Sequence, residues 1–181
     1  MPGSTCPRTP PAGGQALRCG PRPPLPQGEG MQPCAECGAS MNPRSCDELF
    51  HALFALDHSR QAPWGPLHAV SVACFLLQHP SRLPADDGAM AWALLHAYLD
   101  GGLDEVNRLV GHARRGNSHR AQGMPVRVAP DAAPPHRDAT RSRFSVTIEV
   151  VAVDGTFPSA SFGERVEAWA AATVAAWRGG S

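Results

Sequence analysis

Cys34, Cys37 and Cys46 place three thiols within thirteen residues of a 181-residue chain. Cys34-Ala-Glu-Cys37-Gly38 is a CxxCG turn, in which two thiolates can grip one ion and the following glycine permits a positive φ. Cys46 stands where a helix begins, and the partial positive charge of a helix N-terminus favours a thiolate there. Zinc held by these three cysteines is the expected chemistry. A redox CxxC is the rival, but it calls for a strand before the motif and a helix straight after it. Here Pro33 and a proline-rich stretch precede it. A buried, unmetallated thiol cluster is the remaining alternative.

A fourth ligand has to come from elsewhere. His51 follows Cys46 by five residues, a rotation of about 500°, so it points roughly 140° away on an unbroken helix. The neighbouring helix offers a better donor. Ser45 and Glu48 form a capping-box pattern, and helix 1 is predicted from Cys46 to about His58. A short turn with Pro63 and Gly65 follows, Pro66 suits a first helical position, and helix 2 runs to His79 before Pro80. Two helices joined this way form an antiparallel hairpin in which facing residue numbers sum to about 125. Cys46 then lies beside His79, and Asp57 beside His68. Each helix separates its two residues by eleven positions, about three turns or roughly 16 Å. The expectation is a Cys3His site from Cys34, Cys37, Cys46 and His79 at one end, with His68, Cys74 or water next in line for the fourth position. At the other end an Asp57–His68 pair is either a structural hydrogen bond or an acid–base couple, with Asp57 orienting His68. Trp64 is expected to pack at that end or to cover it, His58 to face solvent, and Cys74 to be a core thiol.

The elements that must hold these residues are mostly helical. Helix 2 is apolar almost all round, which marks it as central. Helix 3 is expected from about Asp86 to Leu99, stopped by Gly101–Gly102, with a shorter helix from Asp104 to about Arg114. Gly116–Arg143 reads as a flexible loop. Phe144–Val153 is rich in β-branched residues and is expected as a strand, with Val126–Val128 as a partner. A last helix starts at Ser161, with a second capping-box pattern to Glu164. The fold class is a small, mainly α domain over residues 33–181, with a zinc knuckle and one short strand or hairpin before the last helix. Residues 1–32 read as a disordered Pro/Gly-rich tail, nine prolines falling within the first 33 positions, and Met31 is an alternative start.

Composition narrows the function. Formal net charge is zero, which argues against bulk attraction to nucleic acid or membrane. All 16 basic residues are arginine, so lysine Schiff-base chemistry and a Walker lysine are excluded. No apolar run reaches the length of a membrane span and no secretory leader is visible, which points to the cytoplasm. Charge is nonetheless polarised: Ala85–Asn107 carries five acids and no arginine, whereas Arg108–Arg143 carries eight arginines and two aspartates. Arg114, Arg115 and Arg120 form a weak anion-binding candidate. Nucleic acid is disfavoured, since no aromatic residues interleave with them.

The sequence Cys34-Ala-Glu-Cys37-Gly38, Cys46, Leu56-Asp57, Gly65-Pro66-Leu67-His68 and above all Leu77-Gln78-His79-Pro80-Ser81 resembles a bacterial family, domain-of-unknown-function family 5946. The resemblance covers about residues 31 to 178. It implies that residues 1–30 extend a family that usually starts near its CxxCG. It points to site residues and carries no activity over. Three functions stay open: a zinc-stabilised module that acts by binding or interaction, a small metal-dependent or acid–base enzyme using Asp57 and His68, and a binder of anions or nucleic acid through the arginine-rich loop.

Overall fold

The computed structural model describes residues 32–40, 43–83, 87–116 and 144–179. The proline-rich residues 1–31 and most of the predicted loop, 117–143, lie outside the described residues, as does Val126–Val128. Among the described residues there are five helices, α1 (Cys46–His58), α2 (Trp64–Gln78), α3 (Gly88–Gly116), α4 (Ile148–Val151) and α5 (Phe162–Arg178), with a 3-10 turn at Pro80–Arg82.

The capping box predicted at Ser45 is present. The Ser45 hydroxyl accepts from the Glu48 N–H while the Glu48 carboxylate accepts from the Ser45 N–H. It fixes the start of α1, and so the depth at which Cys46 enters the core. Helix α2 begins two residues earlier than expected, at Trp64, and Pro66 sits in its first turn, where a missing N–H costs no helical bond. As its apolar surface requires, α2 is the central helix, packed against α1, α3 and α5. Leu67, Val70, Cys74, Phe75 and Leu77 are buried along it. Across from them α5 buries Phe162, Val166, Trp169 and Trp177. Each large apolar side chain removed from water here contributes about 1.5–3 kcal/mol, which is what holds the hairpin in place.

Helix α3 joins the two helices expected separately, yet Gly102 breaks its backbone at φ 64°, ψ −157°. Only glycine adopts that conformation without strain, so the predicted stop survives as a break rather than a gap.

Two expectations fail. Phe144–Val153 is not a strand: Ile148–Val151 forms one helical turn, and Val153 bridges only to Thr156 in a tight turn. Among the described residues no strand is present to pair with it. A single strand leaves its backbone groups unpaired, and burial of Ile148 and Val151 against the core is obtained equally well from one helical turn. The second capping box also fails. Ser161 takes a left-handed backbone (φ 51°) and its side chain caps nothing. Arg165 organises this entry instead, donating to the carbonyls of Val151, Pro158 and Ala160.

Candidate metal centre

The knuckle is built from its own backbone. Gly38 N–H donates to the Cys34 carbonyl at 2.8 Å, Cys34 N–H to the Ala39 carbonyl at 2.7 Å, and Ala39 N–H to Cys37 Sγ at 3.5 Å. Gly38 has φ 82°, the positive value the turn demands. The turn thereby points both thiols toward the start of α1, where Cys37 Sγ lies 3.5 Å from Cys46 Sγ.

His79 completes the cluster. One donor atom from each of Cys34, Cys37, Cys46 and His79 lies within 4.8 Å of all the others. Tetrahedral zinc with sulfur at about 2.3 Å separates its ligand atoms by roughly 3.8 Å, so the cluster matches the ion in size. The orientation of His79 fits too. Its Nδ1 lies 2.8 Å from the Phe75 carbonyl, an acceptor only, so Nδ1 carries the proton. That leaves Nε2 as the lone-pair nitrogen, and Nε2 is buried with no hydrogen-bond partner. A histidine fixed by one nitrogen and bare at the other is the tautomer a metal needs. The ring also stacks on Phe75 at 4.1 Å between centroids.

Charge at the cluster is uneven. A hydrogen bond from Cys46, helped by His79 and by the Ala39 N–H, holds the Cys37 thiol far below the usual thiol range despite its burial. Cys46 is pushed up by that same hydrogen bond, by desolvation and by the neighbouring thiols. Burial opposes protonation of His79, but Cys37, the Phe75 carbonyl and Glu36 outweigh it and raise its pKa. A bound cation would displace the Cys46 proton and bring all three sulfurs to thiolate.

Outer contacts lock the knuckle to the rest of the molecule. Glu36, between the two knuckle cysteines, accepts from Ser81 N at 2.8 Å and from Ser81 Oγ at 2.9 Å. Ser81 follows Pro80 directly after His79, so the two ligand-bearing segments are clasped by one carboxylate. Arg82 pairs with Asp47 beside Cys46. Ser40 donates its N–H and hydroxyl to Glu149 on α4, and Phe144 N–H donates to the Cys37 carbonyl. Gln78, next to His79, donates to the Val146 carbonyl and to Thr173 Oγ1, both at 2.9 Å. None of these long-range partners was readable from spacing; the motif residues Glu36, Gln78 and Ser81 were their only signal.

At the far end of the hairpin, Asp57 Oδ2 lies 3.1 Å from His68 Nδ1. Desolvation raises the Asp57 pKa, and the hydrogen bond and charge of His68 only partly offset it. The pair opens on a polar pocket of about 400 Å³ lined by Asp57, His58, Arg60, Gly65 and His68. Trp64 does not cover it: its indole N–H donates to the Phe157 carbonyl at 2.9 Å and its ring packs toward Phe162. His51 is exposed and stands outside the metal cluster. Cys74 is fully buried and its thiol pKa is raised by desolvation. Arg114 and Arg115 fall in the last turn of α3, and Arg120 lies outside the described residues.

A model of the family of unknown function DUF5946 matches residues 32–178. The chain belongs to that family. No curated protein and no solved structure matches it. The DUF5946 match begins two residues before Cys34 and spans both ends of the hairpin.

Proposed function

We propose that Cys34, Cys37, Cys46 and His79 hold one zinc ion and that this member of DUF5946 is a zinc-stabilised helical module of the cytoplasm that acts by binding a partner. The observation that carries the metal is His79 Nε2, buried, unpartnered and within reach of three thiols. Four protein ligands close the coordination shell, the pattern of structural rather than catalytic zinc. The ion would join three segments, the knuckle, the start of α1 and the end of α2, so its binding energy becomes folding energy. Four free cysteines with no disulfide among the described residues suit a reducing compartment. No described helix is long and apolar enough to cross a membrane. The test is zinc per chain on purified protein, with melts before and after chelation. One zinc per chain and a large chelator-induced drop support the proposal; metal-free protein with an unchanged melt overturns it.

A second reading is favoured by the Asp57–His68 contact inside an open pocket. Asp57 fixes Nδ1 of His68 and leaves Nε2 free for proton transfer, an acid–base couple in geometry. Loss of a substrate-dependent activity in Asp57→Asn, with zinc content intact, is the result that would establish it.

A further inference from the structure

The pocket at the Asp57 end gathers basic side chains in a way that overall neutrality conceals. Asp57 is its only acid, and that carboxylate is engaged: Oδ2 faces His68 Nδ1. Three cationic or potentially cationic side chains share the rim, His58, Arg60 and His68. The Arg60 N–H donates to the Asp57 carbonyl at 3.1 Å, but among the described residues neither the Arg60 guanidinium nor the His58 imidazole has a hydrogen-bond or ion-pair partner, and Arg60 is exposed. Asp87 and His68 both line an adjoining apolar groove between α2 and α3.

The backbone fixes this arrangement. Arg60 holds a left-handed φ of 56° in the turn between α1 and α2. A Cβ on Gly65 would stand 2.6 Å from Arg60 Cα, so only glycine lets the start of α2 lie against that turn. Gly65 is the second residue of α2, whose N-terminus has no side-chain cap. The Gly65 N–H is donated to the Gln61 carbonyl at 2.8 Å and Pro66 has no N–H, so Gly65 shapes this cavity only by its missing side chain.

Asp57 adds an independent demand for a ligand. Its side chain is 1% exposed, and Oδ1 has no hydrogen-bond partner. Buried carboxylate oxygens are seldom left without a donor. A ligand that places negative charge at Arg60 and a hydroxyl near Asp57 satisfies both sides of the pocket. Hydrogen phosphate and phosphate monoesters carry both groups, and the guanidinium fork matches phosphate geometry. The volume of about 400 Å³ falls within the range of small-molecule sites.

We propose that His58, Arg60 and His68 form a binding site for a phosphate group, either free phosphate or the phosphate of a small monoester. The site lies at the opposite end of the hairpin from the cysteines and needs neither the metal nor proton transfer by His68.

The experiment titrates inorganic phosphate into the zinc-loaded full chain at constant ionic strength and follows the imidazole proton resonances of His58 and His68. Saturable shifts are expected. Arg60→Gln should weaken binding by at least about tenfold, since a charge-assisted contact is lost. The triple variant Arg114→Gln, Arg115→Gln, Arg120→Gln should bind like the parent. Zinc per chain, measured on the same samples, should stay constant, which separates failure here from failure of the metal site. Shifts that do not saturate, or binding lost in the triple variant and kept in Arg60→Gln, would overturn the site.

Discussion

The two ends of the α1–α2 hairpin carry similar ingredients and put them to opposite uses. Each end sets a residue of α1 against a histidine of α2, Cys46 beside His79 and Asp57 beside His68. At the Cys46 end the histidine is 4% exposed and its outward nitrogen is enclosed by thiols. At the Asp57 end the histidine side chain is 44% exposed. The difference lies in what covers each end. The knuckle is clasped to the 3-10 turn after His79 and tied to α4 through Ser40, whereas Trp64 turns away toward α5 and leaves His68 open. One packing register thus yields a sealed centre and an accessible pocket.

The sharpest way to break this contrast is to remove His79. Under the proposed zinc site, His79→Ala leaves three thiolates and an opening. Zinc per chain should fall well below one, and the melting temperature should drop by about 10 °C, from loss of several kcal/mol of binding-coupled stability. Elemental analysis with thermal melts checks it. Retention of full occupancy would mean that water or another side chain is the fourth ligand.

Cutting the clasp is milder. Glu36→Ala removes both hydrogen bonds from Ser81 without touching a ligand. Stability should fall by about 1–2 kcal/mol, and zinc should transfer to a chromogenic chelator several-fold faster. An unchanged transfer rate would show that the sealed end does not depend on its outer contacts.

At the open end the effect is smaller and depends on pH. The folded-state pKa of Asp57 is raised, so the folded protein binds that proton more tightly than the unfolded chain. The stabilising contribution is complete below the ordinary aspartate range, near pH 4, and is lost as pH climbs through the raised value. Asp57→Asn cannot lose it. Relative to the parent, the variant should therefore gain stability between acid and neutral pH, as read from paired denaturant melts. A difference that stays flat across the range would mean that burial does not govern this carboxylate. The smallest effect belongs to His51→Ala, an exposed position that should leave zinc content and melting temperature where they were.

Local rules make the hairpin legible in the sequence. The Ser45–Glu48 box set the start of α1, Pro80 marked the end of α2, and a short turn fixed their antiparallel register. Those three constraints brought Cys46 to His79 and Asp57 to His68. What escaped was whatever depended on distant partners. The β-branched run 144–153 had the composition of a strand, but pairing is a tertiary property and burial of Ile148 needs no sheet. Ser161 and Glu164 had the spacing of a cap, yet Arg165 took over that turn by collecting three carbonyls. The Glu36–Ser81 and Ser40–Glu149 contacts join polar residues 45 and 109 positions apart, and no periodicity reports such pairs.

Those two separations also set an order of events during synthesis. All four cluster residues and the Glu36–Ser81 clasp lie upstream of Leu83, so the cluster can assemble while the C-terminal half of the chain is still being made. The Ser40–Glu149 contact must wait until α4 has emerged, about 70 residues later at 5–20 residues per second. For several seconds the nascent protein would display a finished hairpin whose α5-facing side, including Leu77 and Gln78, has nothing from α5 against it. That interval is when a chaperone would have a surface to hold, and when zinc supply would act on yield rather than on the stability of the finished fold.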